Sequence, residues 1–536
     1  MIARGVWPLV DVETMRALDR HTIDALGVPG ELLMESAGRA VSQLVLEQLG
    51  EVASGEVCVV CGVGNNGGDG LVLARHLQLL GVDVRAALVG DESRLSADAA
   101  VNLKRARRVG VRIEAEGWSA PERGVVVDAL FGTGLARPVS GPAADAIRTI
   151  NRARAAHAIV VAVDLPSGLD ADTGQILGSA VRADVTATVG LPKLGLVLEP
   201  GRSLAGHVQV LRIGIADEAP GVRPPAELWS AVAAGARLPE RPQHGHKGSF
   251  GHVLLVAGGE GKTGAAALAA RGAARAGAGL VTIACPAGLN DILEVKCTEA
   301  MTAPLPDTPE RSLAAAAEDA VLALAAERDV VAMGPGVGRS HETVCLMRAL
   351  AKRLEAPLVV DADGLFAFAE EPAVLKSRDG VTILTPHPGE AARLLGTRSA
   401  EVNRDRVSAA RSLASATGAV VLLKGAGSVT ASPEGRVVVN PTGGPSLAAG
   451  GTGDVLAGMV ASYLAQGLTA VDAAALAAYV HGAAADRLGR RAGGLLASEL
   501  ADGLPSAAAR LRASCDSDGP LVAEAGVGLA LPLPGS

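Results

Sequence analysis

Aromatic side chains are scarce in this sequence: 4 Phe, 3 Trp and 2 Tyr in 536 residues. Ring-on-ring packing is therefore excluded as the basis of a core, and the interior has to be built from Val, Leu and Ala. Cysteine is sparse too, and the six, at 58, 61, 285, 297, 345 and 515, are too few for a disulfide framework. Cys58-Val59-Val60-Cys61 does spell C-x-x-C. It lies in an apolar run with the character of a buried strand, where residues three apart point to opposite faces, so zinc and redox roles are not expected. Positive charge is also short, 49 Lys and Arg against 57 Asp and Glu, for a net charge of −8. The one dense basic run, Lys104-Arg105-Ala106-Arg107-Arg108, reads as a solvated helix face, and neither nucleic acid nor a membrane is an expected partner. No run reaches about 18 uncharged apolar residues, and Asp11 and Glu13 interrupt the N-terminus before an apolar signal region develops, which points to a cytoplasmic protein.

What is present is ample apolar surface, 49% of residues, in a chain long enough for two or more domains. The densest chemistry lies in Leu447-Ala448-Ala449-Gly450-Gly451-Thr452-Gly453-Asp454-Val455-Leu456-Ala457-Gly458. Its glycines let backbone N–H groups turn toward a ligand, and the helical spacing from Val455 to Leu464 puts those donors at a helix N-terminus, an anion cradle. Asp454 is the oddity, because a carboxylate repels a phosphate held on the same amides. It reads as a base aimed at a substrate hydroxyl or, more plainly, as an acid that complements the helix dipole.

Upstream, residues 11 to 49 read as two helices broken at Gly27-Val28-Pro29-Gly30. A strand from Val57 to Val60, a Gly-rich loop from Gly62 to Gly70 and a helix opening at Leu71 form the head of a βαβ unit. The loop contains G-x-G-x-x-G, so an NAD-dependent dehydrogenase has to be weighed. Asn65, Asn66 and Asp69, however, occupy a cradle where a pyrophosphate needs bare N–H groups, and carboxamides suit an amide, a ribose or a monovalent cation better. Two more apolar strands end in acids: Val125-Val126-Val127-Asp128, followed by a Gly loop, and Ile159-Val160-Val161-Ala162-Val163-Asp164, followed by Leu165-Pro166-Ser167-Gly168. Asn66, Asp128, Asp164 and Ser167 thus arrive at one carboxyl-end edge of a parallel sheet, although each alone would pass as a turn-former.

From residue 253 onward, short apolar strands (253–256, 281–284, 330–333, 358–360, 381–384, 419–423) alternate with Ala-rich helices, so this half is also α/β with a mainly parallel sheet. The polar, Pro-rich stretch after Ile215 places a first domain at 1–215, a linker at 216–236, a second domain at 237–512 and a weakly ordered tail at 513–536. His244 and His246 read as a solvated loop end rather than a metal pair.

These motifs carry a resemblance. Asn65-Asn66-Gly67-Gly68-Asp69-Gly70, Asp128-Ala129-Leu130-Phe131-Gly132-Thr133-Gly134 and Asp164-Leu165-Pro166-Ser167-Gly168 resemble the NAD(P)H-hydrate epimerases over about residues 8–213. The Gly450 to Asp454 loop resembles that of the ribokinase-like kinases. With Lys247-Gly248-Ser249-Phe250-Gly251-His252-Val253, Gly334-Pro335-Gly336, Asp361-Ala362-Asp363-Gly364-Leu365, Thr385-Pro386-His387-Pro388-Gly389-Glu390 and Leu423-Lys424-Gly425-Ala426-Gly427, it is similar to the ADP- or ATP-dependent NAD(P)H-hydrate dehydratases over nearly all of 240–510.

The resemblance implies an N-terminal Rossmann-like three-layer αβα domain followed by a ribokinase-like α/β domain. In the first it implies potassium on Asn66, Asp128 and Ser167. Substrate contacts would fall on Asn65, Asn66, Gly67, Gly68 and Asp69, on Gly132, Thr133, Gly134, Leu135, Ala136, Arg137 and Pro138, and on Asp164, which would also be catalytic. In the second it implies that Ala265, Gly336 and His387 touch the hydrated nicotinamide, although His387, between two prolines, is also a candidate brace for its own turn. Lys424, Gly425, Ala426, Gly427, Ser428 and Gly453 would touch ADP, accompanied by Mg2+, and Asp454 would be the catalytic base beside the substrate. One departure stands out: the family usually reads N-T-T-G-N-P-G-M-A-T before the catalytic glycines, and here the stretch is Asn440-Pro441-Thr442-Gly443-Gly444-Pro445-Ser446-Leu447-Ala448-Ala449. The implied activity is interconversion of the R and S hydrates of NADH and NADPH (NADHX and NADPHX). ADP-dependent dehydration of the S form (ATP in some relatives) would follow, with release of AMP and phosphate, in a homo-oligomer. Two alternatives remain, because fold analogy does not separate them: a kinase of a small alcohol or vitamin precursor, and a protein whose first domain only binds.

Overall fold

The computed structural model describes residues 5–51, 55–115, 117–489, 494–516 and 529–530. It divides into two compact units, one running to Glu227 and taking in the strand Leu529–Ala530, the other spanning Leu228–Asp518.

In the first unit the sheet order is Arg112–Glu114, Asp83–Leu88, Glu56–Cys61, Val125–Ala129, Ile159–Val163, Val185–Val189, His207–Leu211, all parallel, with Leu529–Ala530 antiparallel on the last edge. Strands covered on both faces need apolar residues at every position, which is why they read as unbroken Val runs. Val57, Val59 and Cys61 pack with Leu44, Leu71 and Leu103 of the helices Gly30–Leu49, Asn65–Leu79 and Ala97–Arg108. Cys58 and Val60 pack on the other face with Ile147 and Ile150 of Gly141–Ala155. The unit is therefore a three-layer αβα sandwich, and Cys58 and Cys61 point apart as expected, both free. Each fully buried Val or Leu contributes roughly 1.5–3 kcal/mol, so this core needs few rings. The basic run lies on Ala97–Arg108, where Arg105 pairs with Glu31 at 2.5 Å and Arg107 with Glu92 at 2.7 Å.

The second unit repeats the scheme. Met301–Leu305, Leu280–Pro286, His252–Val256, Val330–Met333, Leu358–Val360, Thr382–Leu384 and Val420–Leu423 are parallel, and Val429–Ala431 and Val437–Val439 extend the sheet antiparallel. Within each parallel set the earliest strand, Glu56–Cys61 or His252–Val256, lies centrally, and the winding direction reverses between it and the fourth strand of that set. Crevices that take ligands open at the carboxyl ends of strands where the winding reverses. Among the described residues no helix is long and apolar enough to cross a membrane.

Two expectations need correction. The stretch 216–236, read as a linker, contains the strand Ala226–Trp229 with Leu228 and Trp229 buried, and the helix Ala231–Gly235, capped by Ser230. The Arg237 guanidinium lies 4.3 Å from the Trp229 ring centroid. The Pro-rich residues mark only a bend, and a four-residue strand is too short to show a period. The stretch 513–536, read as a weakly ordered tail, begins inside the helix Ala497–Asp516 and holds the strand Leu529–Ala530. Its other residues, 517–528 and 531–536, lie outside the described residues.

Candidate active sites

In the first unit the reversal point lies between Glu56–Cys61 and Val125–Ala129. The helix Asn65–Leu79 starts there, and a Cβ on Gly67 would sit 1.9 Å from the Gly62 carbonyl oxygen, so only glycine lets the loop close this tightly. Asp128 is fully buried at its strand end. Its Oδ1 accepts from Ser167 Oγ at 2.6 Å and its Oδ2 from the Ser167 N–H at 2.7 Å. Burial pushes its pKa up to about 6 despite these bonds. Among its described hydrogen bonds this carboxylate has no cationic partner, and the Asn66 amide nitrogen is buried without a hydrogen-bond partner.

Asp164 follows its strand with φ +68, a left-handed conformation that side chains rarely adopt. Its Oδ1 accepts from the Lys193 ammonium. Its Oδ2 and the Asn66 Oδ1 each lie 3.2 Å from the point where a Cβ on Gly132 would be. Asn66, Gly132 and Asp164 thus share one crevice, with Thr133 and Leu135 half-buried behind and Gly134, Ala136, Arg137 and Pro138 exposed on the loop beyond. Asn65 is exposed at the helix start, with Gly68 buried. Burial, then the Asp164 carboxylate, push the Asp69 pKa well above the usual carboxylate range.

In the second unit a cavity of about 290 Å³ opens beside the reversal point, lined by Lys262, Ala265, Gly336, Arg339, Asp363 and Glu390 among others. Asp363 accepts from Lys262 Nζ and from Arg339 Nε, both at 2.7 Å, and these cations hold its pKa low against burial. His387 caps the helix Pro388–Leu395: its Nδ1 accepts from the Gly389 N–H at 3.0 Å, and Glu390 Oε2 accepts from the His387 N–H at 2.8 Å. It does brace its turn, and its side chain is still 57% exposed.

The helix Thr452–Ala465 begins after Gly451, at φ +89. Burial, then the neighbouring Asp361 carboxylate, push the Asp454 pKa up to about 6. A Cβ on Gly453 would lie 3.5 Å from Lys424 Nζ. Lys424 is held protonated against its own burial by Asp361, Glu390 and Asp454. Behind it, the buried Arg406 guanidinium donates to the carbonyls of Leu423 at 3.1 Å and Lys424 at 3.0 Å and fixes the turn into Gly425. Ser428 Oγ closes that turn on the Gly425 carbonyl at 2.9 Å, with Ala426 and Gly427 between. The glycine-rich loop before this helix is pinned by Thr452 Oγ1, which donates to the carbonyls of Leu447 and Ala449 at 3.0 Å each. His481 Nε2 donates to the Thr452 carbonyl at 2.9 Å, and burial lowers its pKa to about 4, so it is neutral. The divergent segment before the glycines is anchored to the same helix, Ala470–Gly489, by Asn440 Nδ2 on the Ala478 carbonyl and by the Gly443 N–H on Asp486. Among the described residues no three His, Cys, Asp or Glu side chains converge to cage a metal.

Sequence reasoning left Lys193, Asp361, Glu390, Arg406 and His481 out of the sites. Asp361 and Glu390 sat in motifs already noted, and Asp361 ends a strand as Asp128 does. Lys193 stood out only as a lone charge in the apolar run Leu191-Pro192-Lys193-Leu194.

A family profile described as NAD(P)H-hydrate dehydratase matches residues 253–506, and one described as YjeF-related protein N-terminus matches residues 30–195. The chain is 45% identical over 510 residues to the bifunctional NAD(P)H-hydrate repair enzyme Nnr of Moorella thermoacetica, covering 93% of this chain and 96% of that one. It is 39% identical over 516 residues to the enzyme of the same name from Thermofilum pendens, covering 94% and 97%. A crystal structure of the ADP/ATP-dependent NAD(P)H-hydrate dehydratase from Bacillus subtilis, co-crystallized with ATP/Mg2+, is 31% identical, covers 53% of this chain and 98% of that chain, and superposes with a TM-score of 0.46.

Proposed function

The chain belongs to the bifunctional NAD(P)H-hydrate repair enzymes, and from that membership we propose how its two sites divide the work. The first unit interconverts R and S NADHX and NADPHX at the Asn66, Gly132 and Asp164 crevice. The second dehydrates the S form with ADP, or with ATP. The observation that carries this reading is Asp454 beside Lys424 at the glycine-rich start of a buried helix.

In the second unit Asp454 takes the proton of the hydrate's hydroxyl as that oxygen attacks the terminal phosphorus of the nucleotide. The new P–O bond forms as the bond to the leaving group breaks, which is AMP when ADP is the donor and ADP when ATP is. Phosphate then leaves from carbon while the adjacent carbon loses a proton, restoring the dihydronicotinamide. A base with a pKa of about 6 is largely ionised at neutral pH and still close enough to it to exchange protons readily. Lys424, the turn through Gly425, Ala426, Gly427 and Ser428, and the Gly453 amide face the nucleotide, while Ala265, Gly336 and the exposed edge of His387 face the nicotinamide.

Mg2+ fits as a companion of the nucleotide rather than as a resident ion. Asp361, with one buried oxygen lacking a hydrogen-bond partner, and Glu390 supply the one or two carboxylates it ordinarily takes. When bound, it would neutralise charge on the transferring phosphoryl group. In the first unit Asn66, Asp128 and Ser167 fit K+, because Asp128 is a buried carboxylate without a cationic partner among its described hydrogen bonds. When bound, K+ would offset that charge at the crevice.

The test is to incubate the full-length chain with mixed R and S NADHX and either nucleotide, following recovered NADH by absorbance. Complete conversion of both epimers with one phosphate released per NADH is expected. A phosphorylated product that persists would identify a kinase instead, and conversion of the S form alone would remove the epimerase.

A further inference from the structure

Lys193 is only 1% exposed, among the largest fully buried side chains of the protein. Its ammonium donates to Asp164 Oδ1, to Thr188 Oγ1 at 3.1 Å and to the Val189 carbonyl at 2.7 Å, so its three protons have three acceptors. The same Asp164 oxygen accepts from the Val189 N–H at 3.3 Å. Every described hydrogen bond of the Asp164 carboxylate thus falls on Oδ1, while Oδ2 lies on the side of Gly132 and Asn66. Fold stability alone gives no reason for this arrangement, since well-packed apolar residues commonly serve as well as a buried ion pair.

We propose that Lys193 is a positioning residue for epimerisation: it occupies Oδ1 of Asp164, fixes the carboxylate plane and leaves Oδ2 as the single oxygen that exchanges a proton with the hydrate. This rests on reading the first unit as the epimerase. Asp164 is paired with Lys193, and both act electrostatically on Asp69, as do Asp19 and Asp98. Asp69, whose carboxyl burial drives toward the protonated form, is the second partner. It gives its proton to the hydroxyl, the C–O bond breaks as the ring nitrogen's lone pair moves in, and water departs. Water then re-adds to the opposite face, the C–O bond re-forms, and its proton passes to Asp164 Oδ2. Exchange with solvent returns the two carboxyls to their starting states.

Lys193→Met in the full-length chain should lower the kcat of R-to-S exchange, followed by NMR, by about 10²-fold with KM changed less than about threefold. Asp164→Asn and the double variant Asp164→Asn/Lys193→Met should be equally slow, since Lys193 acts only through Asp164. Should Lys193→Met fail to fold, Lys193→Ala with added methylamine takes its place, with recovery of rate expected. Multiplied losses in the double variant, a KM change as large as the kcat loss or a failure of rescue would overturn the role. An inactive wild-type chain would instead overturn the epimerase reading itself, so the two failures are distinguishable.

Discussion

Lys424 donates to Oδ1 of Asp361 at 2.6 Å, and Oδ2 of the same carboxylate is buried without a hydrogen-bond partner. Those residues end the strands Val420–Leu423 and Leu358–Val360, which are separated in the sheet by Thr382–Leu384. With Glu390 and Asp454 also facing it, this lysine is one cation among three acids. An arrangement so rich in negative charge is poised for a ligand that brings its own cation, as a nucleotide does.

Asp454→Asn keeps the shape of the loop and removes the base. Dehydration should slow by about 10² to 10⁴-fold, roughly 3 to 5 kcal/mol of barrier. ADP affinity by calorimetry should be unchanged or slightly improved, because a negative charge beside the phosphates is gone. Turnover near the wild-type rate would rule Asp454 out as the base.

The same residue sets a pH dependence. As a base it must be ionised, so kcat for S-NADHX should fall as pH drops through about 6. Its folded pKa lies above the unfolded value. The stability it contributes is therefore present at low pH and is lost as pH rises through about 6. Thermal melts of Asp454→Asn at pH 8 should accordingly lie above wild type, by about 1 to 3 kcal/mol of stability.

In the first unit, Asp128→Ala should slow epimerisation and abolish its response to added KCl while dehydration of purified S-NADHX continues at the wild-type rate. Equal loss of both activities would separate Asp128 from the epimerase.

A fragment starting at residue 225 should keep dehydratase activity and melt higher than one starting at 236. The shorter piece discards Trp229, which is buried under Arg237. Emptying a Trp-sized site costs about 3 to 5 kcal/mol. Equal melting temperatures would show that the strand Ala226–Trp229 is dispensable to the second unit.

The sequence by itself determined that both halves are α/β with mainly parallel sheets and that glycine-rich loops and acids stand at several strand ends. Unbroken Val runs record burial on two faces, and glycines and acids at strand ends record where the backbone must turn toward a ligand. It could not show Met301–Leu305, Val429–Ala431 or Val437–Val439, because a short strand, or one holding Pro304, displays no period. Only the tertiary structure decided which charges meet. Lys193 reaches Asp164 across 29 positions, Lys424 reaches Asp361 across 63, and His481 holds the Thr452 carbonyl across 29. Sequence periodicity encodes which face of its own element a side chain takes. Its partner across the sheet is fixed by strand order and register, and those follow from how whole helices and strands bury one another.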